Sequence, residues 1–104
     1  METSIKSVVL KLNTDKPVRK TPYQVKGVFI RHFKSESIVP MLNGSNRHKF
    51  LYPRVQVKIL NEQIYIIGLK EGLNSVISIA EKVKKLDFGN ITFDVESFEL
   101  LESK

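Results

Sequence analysis

The sequence predicts an α+β domain whose strands and helices follow one another in the order βαββαβ. Three observations predict this class. Some stretches have apolar residues at every second position, two stretches have apolar residues at helical spacing, and a tight turn joins two of the predicted strands. The chain has 104 residues, 41% of them hydrophobic, and no cysteine. This length supports one hydrophobic core, and the absence of cysteine excludes a disulfide framework. We therefore expect residues 1–104 to form one domain.

The first two elements carry clear signals. Within residues 5–12, Val8, Leu10 and Leu12 alternate with Ser7, Val9 and Lys11, the period of two expected for a strand with one buried face. A helix is predicted to begin after Thr21, because Pro22 stands at the first helical position and Gln24 completes a capping box with the threonine. The core residues expected from these elements are Val8, Leu10, Leu12, Val25, Val28, Phe29 and Phe33.

The middle of the chain predicts a hairpin after a long connection over residues 35–53. Residues 54–60 and 63–69 alternate as strands and are joined by a tight turn at Asn61 and Glu62. Val55, Val57 and Ile59 are expected to face the core. The long connection is unusual in so small a domain, and loops of that length are often functional.

The last third of the chain predicts a second helix and a final strand. We expect this helix to end at Lys84 and Lys85, two cations suited to a helix C-terminus. The final strand begins near residue 91, and a change of parity indicates a bulge near Glu96 and Ser97. The simplest arrangement is ferredoxin-like: a four-stranded antiparallel sheet with both helices on one face. The expected apolar side of the second helix is Leu73, Val76, Ile77, Ala80 and Val83.

Charge is distributed unevenly along the chain. Residues 1–54 hold 11 basic and 3 acidic residues, a net charge of +8, whereas residues 55–104 hold 6 and 8, a net charge of −2. This asymmetry favours an electropositive surface for a polyanion, and RNA is the expected partner. No stretch is long and apolar enough to span a membrane and no export signal is evident, so we expect a cytoplasmic protein.

The block LYPRVQVKILNEQIYIIGLKEG at residues 51–72 resembles the N-terminal domain of the CRISPR repeat-processing endoribonucleases, of the repeat-associated RAMP superfamily. In that family a Tyr-Pro pair opens the second strand, a Gln-x-Lys triplet follows, and an Ile-Gly-x-x-Glu-Gly segment leads into the second helix. The resemblance extends more weakly over residues 4–96. The matching residues here are Tyr52-Pro53, Gln56-Val57-Lys58 and Ile67-Gly68-Leu69-Lys70-Glu71-Gly72.

The resemblance implies cleavage of a precursor CRISPR RNA without metal, with a 2′-hydroxyl attacking the adjacent phosphate to leave a 2′,3′-cyclic end. Family members commonly place a histidine between the first helix and the second strand. His48 lies there, between Arg47 and Lys49, and is our catalytic candidate, since the pKa of histidine suits proton transfer. The competing interpretation is that His48 is an ordinary solvated histidine of the loop. Many members carry Leu-His-Asn early in this loop, where this chain has Met41-Leu42-Asn43.

Two further residues are weighed as catalytic groups. Tyr23 is a candidate proton donor or stacking partner, and its competing role is packing. His32 falls among the apolar positions of the first helix, so we expect it to be buried or packed at an edge. Neither metal nor cofactor is expected, because the two histidines lie sixteen residues apart without a carboxylate pattern. The expected RNA contacts are Arg31, Lys34, Arg47, Lys49, Arg54 and Lys58.

Three classes of function remain open. The first is an endoribonuclease domain and the second is an RNA-binding module without catalysis. The third is a regulatory or assembly domain that dimerises through its sheet and binds a small ligand. Family members usually contain two ferredoxin-like domains, so we expect this chain to act with a second such domain or subunit, or as a homodimer. Arg54, Gln56 and Lys58 predict a polar open sheet face, which favours RNA over dimerisation.

Overall fold

The structure is a computed structural model that describes residues 7–33, 55–69 and 71–103. Within these ranges the chain forms two helices and five strands. The final strand is the longest, with 12 residues. The elements are β1 (Ser7–Thr14), α1 (Pro22–His32), β2 (Val55–Leu60), β3 (Gln63–Leu69), α2 (Glu71–Ala80), β4 (Lys85–Asp87) and β5 (Thr92–Ser103).

The strands form one antiparallel sheet in the order β2-β3-β1-β5-β4. The α+β class is confirmed, but the four-stranded ferredoxin-like sheet is wrong in strand number, because β4 adds a fifth strand. The prediction carried the second helix through Lys84 and Lys85, whereas α2 ends at Ala80. Leu86 is fully buried, and pairing with Phe93 of β5 fixes this short segment as a strand.

One face of the sheet holds the core. Leu10 of β1 lies opposite Ile66 of β3, which lies opposite Val57 of β2, and all three side chains are buried. Both helices contribute to the same hydrophobic cluster, so they cover this one face. The buried helical residues are Val25, Val28 and Phe29 of α1 and Val76, Ile79 and Ala80 of α2.

The sheet curls around α1. This helix contacts both β2 and β4, although these strands lie at opposite edges of the sheet. The capping box predicted at its start is confirmed: the Gln24 backbone N–H donates to Thr21 Oγ1 over 3.2 Å, and the Thr21 N–H donates to Gln24 Oε1 over 2.9 Å. Local sequence therefore fixes where α1 begins, and β4 closes over its other side.

Two predicted irregularities of the sheet are present. Asn61 and Glu62, in the turn between β2 and β3, have φ values of 53° and 62°, as tight hairpin turns require. Asn13 lies opposite Ser97 while Thr14 lies opposite Val95, so Glu96 is the extra residue of a bulge in β5. One detail of α2 is wrong: Ile77 is 36% exposed, and Ile79 takes the buried position instead.

Asp15 ties the end of β1 to β5. Its Oδ1 accepts the Asp94 backbone N–H over 2.9 Å, and its Oδ2 lies 3.0 Å from Lys16 Nζ. The Lys16 hydrogen bond, followed by the Asp94 N–H, lowers the pKa of Asp15 below its ordinary value of 3.8. The folded state stabilises the charged carboxylate. Its contribution to the free energy of unfolding is therefore present at pH values above the ordinary pKa and is lost as the pH falls through the lowered pKa.

We expect Asp15→Asn to lower the free energy of unfolding at pH 7 and to have progressively less effect below the ordinary pKa of 3.8. Urea unfolding of both proteins between pH 7 and pH 2 measures this. Asp94→Asn is the control, because the hydrogen bond to Asp15 comes from the backbone N–H of residue 94, which this substitution retains. A stability difference that is constant over this pH range would contradict the assignment.

Candidate nucleic-acid interface

A basic cleft lies between α1 and the turn that joins β4 to β5. Its volume is about 710 Å³, within the range typical of ligand sites. Its walls include three cationic side chains, and none of the described residues that line it is acidic. The lining residues are Lys20, Tyr23, Gln24, Lys26, Gly27, Val28, Ile30, Arg31, Phe88 and Asn90.

The basic residues of this region divide into paired and unpaired groups. Lys16 bonds to Asp15 at 3.0 Å, and Arg19 bonds to Glu62 at 2.9 Å. Both of these ion pairs lie within the described ranges. The cleft cations Lys20, Lys26 and Arg31 therefore have no carboxylate partner in the described part of the chain, and their positive charge is directed at the cleft.

Neutral groups hold two of these cations in place. Lys20 Nζ lies 5.3 Å from the centroid of the Phe88 ring, a cation–π distance, and 3.4 Å from Asn90 Oδ1. One Arg31 Nη lies 3.2 Å from the Asp87 carbonyl oxygen, to which it donates. A guanidinium has five donors, so this bond leaves others available for an oxyanion.

The β4–β5 turn that supplies these partners is itself fixed. Gly89 has a φ of 93°, a conformation that favours glycine. The Gly89 N–H donates to Asp87 Oδ1 over 2.8 Å, and Thr92 Oγ1 lies 3.4 Å from the same oxygen. These contacts hold one oxygen of the Asp87 carboxylate within the turn, and Phe88 and Asn90 of the same turn line the cleft.

The start of α1 adds to the positive potential. The first turn of the helix holds no acidic residue, so nothing in it offsets the positive end of the helix dipole. Tyr23, in this first turn, has 82% of its surface exposed. Its aromatic ring therefore stands at the mouth of a basic cleft, and packing does not account for its position.

The opposite face of the sheet has a mixed character. Lys58 lies opposite Tyr65, which lies opposite Lys11, and Lys11 lies opposite Glu99 of β5. The adjacent row across the sheet runs from Gln56 through the apolar side chains Ile67, Val9 and Leu101, and Leu101 is 55% exposed. Gln56 and Lys58 therefore lie on the open face as predicted, but an apolar row crosses the same face.

The structure separates the predicted site residues. Arg31 lies in the cleft on the helical side, whereas Lys58 lies on the opposite face of the sheet. Tyr23 lies at the mouth of the cleft, beside Arg31 among its lining residues. Five predicted residues fall outside the described ranges, and they are Lys34, Arg47, His48, Lys49 and Arg54.

The prediction for His32 is wrong, because this residue is exposed rather than buried. It lies in the last turn of α1, beyond the buried residues Val28 and Phe29. The neighbouring Phe33 is the side chain that packs inward, with its ring centroid 5.6 Å from that of Phe29. The helical spacing therefore correctly predicted that Phe33 packs inward, whereas His32 points away from the core.

Sequence reasoning missed Lys20 and Lys26 as site residues. Lys20 immediately precedes the helix cap, and Lys26 and Arg31 lie on the same helix. This clustering of cations around one capped helix start was a usable signal. The sequence offered no such signal for Phe88 and Asn90, because their turn is more than 50 positions away in sequence. This turn approaches α1 only when the sheet curls.

The Ile-Gly-x-x-Glu-Gly segment has a structural explanation. A Cβ atom on Gly68 would lie 2.7 Å from the Gly72 carbonyl oxygen and 2.8 Å from Val76 Cγ2. Gly68 faces the core from the middle of the sheet, paired with Val8 on one side and Val55 on the other. The glycine therefore lets α2 lie close against β3, and this position of the motif serves packing.

Some absences hold for the described ranges. None of the helices in residues 7–33, 55–69 and 71–103 is long and apolar enough to cross a membrane. In the same ranges no three His, Cys, Asp or Glu side chains lie together as metal ligands would.

Fold and cleft together define a small α+β domain with an electropositive site on its helical side. A family model described as the Cas6b N-terminal domain matches residues 3–104. The chain therefore belongs to the Cas6b N-terminal domain family and is related to CRISPR RNA processing, as the resemblance of residues 51–72 predicted.

A solved structure entitled "Crystal structure of Cas6b" has the same fold, with a TM-score of 0.65 and 19% sequence identity. The match covers 95% of this chain and 46% of that one, so the chain spans about half the length of the protein it matches. The search of the curated proteins found no match.

Proposed function

We propose that this chain is an RNA-binding domain that acts on CRISPR precursor RNA, and that the RNA is cleaved without metal to leave a 2′,3′-cyclic phosphate. The observation that carries RNA binding is the cleft, in which Lys20, Lys26 and Arg31 have no carboxylate partner among the described residues and lie beside the exposed Tyr23. Membership of the Cas6b N-terminal domain family supports CRISPR RNA as the ligand.

The cleavage step is an in-line displacement. The 2′-oxygen loses its proton and bonds to the adjacent phosphorus, while the bond from phosphorus to the 5′-oxygen breaks and that oxygen takes up a proton. His48 is the proposed proton-transfer group, with Arg47 and Lys49 as phosphate contacts beside it. Tyr23 is the weaker candidate for the group that protonates the leaving oxygen. Lys34, Arg54 and Lys58 complete the proposed phosphate contacts.

The proposed enzyme needs a second half. Because the chain matches 46% of a longer Cas6b structure, we propose that a second ferredoxin-like domain or subunit, or a second copy of this chain, completes the active unit. The apolar row Ile67, Val9 and Leu101 on the open sheet face supports contact with such a protein surface. We place this activity in the cytoplasm.

The test of RNA binding is the salt dependence of affinity for a labelled CRISPR repeat RNA. Each phosphate contact on single-stranded nucleic acid contributes about −0.7 to the slope of log affinity against log salt. If the three cleft cations make the contacts, affinity falls roughly 20-fold between 50 and 200 mM salt, and further contacts steepen the fall. A scrambled RNA of the same length is the control for repeat recognition. Affinity indifferent to salt would contradict the proposal.

The alternative function is a non-catalytic assembly domain that dimerises through the sheet. The exposed Leu101, in an apolar row on the open face, is the observation that favours it. Under this alternative the protein would self-associate and the repeat RNA would bind weakly at 50 mM salt. Sedimentation alongside the salt titration distinguishes the two functions.

A further inference from the structure

We propose that the cleft between α1 and the β4–β5 turn is a site for single-stranded RNA, in which one unpaired base stacks on the Tyr23 ring. The phosphates on either side of this base bind Lys20, Lys26 and Arg31. This inference rests on the proposed RNA-binding function and specifies where RNA binds and in what form.

The exposure of Tyr23 is the first argument. Its 82% exposed side chain is the most exposed of the large hydrophobic residues in the described ranges. Tyr65, on the open sheet face, is half-buried, and its hydroxyl lies 3.5 Å from Gln63 Oε1. An exposed aromatic ring bordered by cations is the arrangement with which proteins stack the bases of a single strand.

Gly27 is the second argument. Glycine inside a helix is destabilising relative to alanine, so an interior glycine needs a reason. Packing among the described residues does not supply one, because the contact that a Cβ at position 27 would make with them is with Arg31 Nη1, at an ordinary 3.8 Å. Gly27 lines the cleft between Lys26 and Val28. Its missing side chain keeps the cleft open beside the helix, which a bound nucleotide would require.

The form of the RNA follows from the aromatic ring. In a duplex the faces of the bases are stacked on one another, whereas an unpaired base offers its face to a side chain. The cations alone would bind any phosphate backbone. The combination of Tyr23 with Lys26 and Arg31 therefore favours a single strand over a duplex.

The experiment measures the affinity of the full chain for fluorescently labelled decauridine and for a ten-base-pair RNA duplex. Tyr23→Ala should weaken decauridine binding roughly 5- to 150-fold, the range measured for loss of one stacked base, and change duplex binding less than about twofold. Tyr23→Phe should restore decauridine affinity, because phenylalanine offers the same ring. Tyr23 is exposed, so neither substitution removes core packing.

The cations are tested with a pair of matched variants. Lys26→Gln removes a charge from the cleft, and Lys11→Gln removes one from the opposite sheet face. Lys26→Gln should reduce the salt slope for decauridine by about 0.7, the share of one phosphate contact. Lys11→Gln should leave the slope unchanged.

Three outcomes overturn the inference in distinguishable ways. If Tyr23→Ala and Lys26→Gln bind decauridine as tightly as the unsubstituted chain while Lys58→Gln binds more weakly, RNA lies on the sheet face. The proposed RNA-binding function then stands and the cleft assignment fails. If the unsubstituted chain binds neither RNA at 50 mM salt, both fail. Equal losses on decauridine and duplex in Tyr23→Ala also overturn the single-strand assignment.

Discussion

Replacing His48 with alanine is expected to lower the rate of RNA cleavage about 10²- to 10⁴-fold, the range typical of a general acid–base group. The reaction needs a proton removed from the 2′-oxygen and another delivered to the 5′-oxygen. Imidazole performs such transfers near neutral pH because its unperturbed pKa is about 6.5. RNA affinity should change little, because phosphate contacts supply it.

Single-turnover cleavage of labelled repeat RNA in EDTA, together with binding at equal salt, measures both quantities. The assay uses the complete unit, with the second domain or subunit if cleavage requires it. His32 provides the matched control, since it is exposed at the end of α1 and can be replaced without disturbing the core. Loss of cleavage in His32→Ala with full activity in His48→Ala would move the proton transfer to the helix. Cleavage abolished by EDTA would contradict the metal-independent reaction.

Gly68→Ala is expected to lower the free energy of unfolding by about 3 kcal/mol, at the upper end of the usual cost of overpacking. The added Cβ would lie 2.7 Å from the Gly72 carbonyl oxygen and 3.0 Å from the Gly72 carbonyl carbon. Both contacts are with backbone, which cannot rotate away as a side chain does. Relieving this clash therefore requires α2 to move away from β3. That movement separates the buried Val76 from the core.

Urea unfolding measures this change, and Gly27→Ala is its matched control. The same substitution at position 27 places Cβ no closer than 3.8 Å to Arg31 Nη1. We expect it to raise the free energy of unfolding by about 0.5–1 kcal/mol, because alanine favours the helix. Equal effects at the two positions would contradict the view that Gly68 serves close packing while Gly27 does not.

Local patterns predicted most elements because their causes are local. The capping box at Thr21 and Gln24 and the hairpin turn at Asn61 each depend on residues a few positions apart, and the change of parity that indicates the bulge at Glu96 is visible within β5 alone. Alternation likewise placed the buried face of the sheet. Strand β4 was missed because three residues are too few to show a period, and its pairing with β5 defines it.

The candidate site was predictable only in part. Arg31 and Tyr23 were named from charge and position, and both line the cleft. Lys58, another of the predicted RNA contacts, lies on the open face of the sheet, as its alternation with the buried Val57 in β2 predicted, and so on the other side from the cleft. Net charge reports how many cations a segment holds but carries no information about which side of a sheet they occupy.

By itself the sequence determined the α+β class, the start of α1, the hairpin of β2 and β3, and the family to which the chain belongs. These depend on local hydrogen bonding, on periodicity and on a contiguous motif. Only the tertiary structure decided that the sheet has a fifth strand and that the β4–β5 turn closes a cleft against α1. It also decided which cations remain unpaired, since Arg19 forms its ion pair with Glu62, a residue 43 positions away in the sequence. Contacts between distant segments depend on how the whole sheet curls, and no local pattern encodes that curvature.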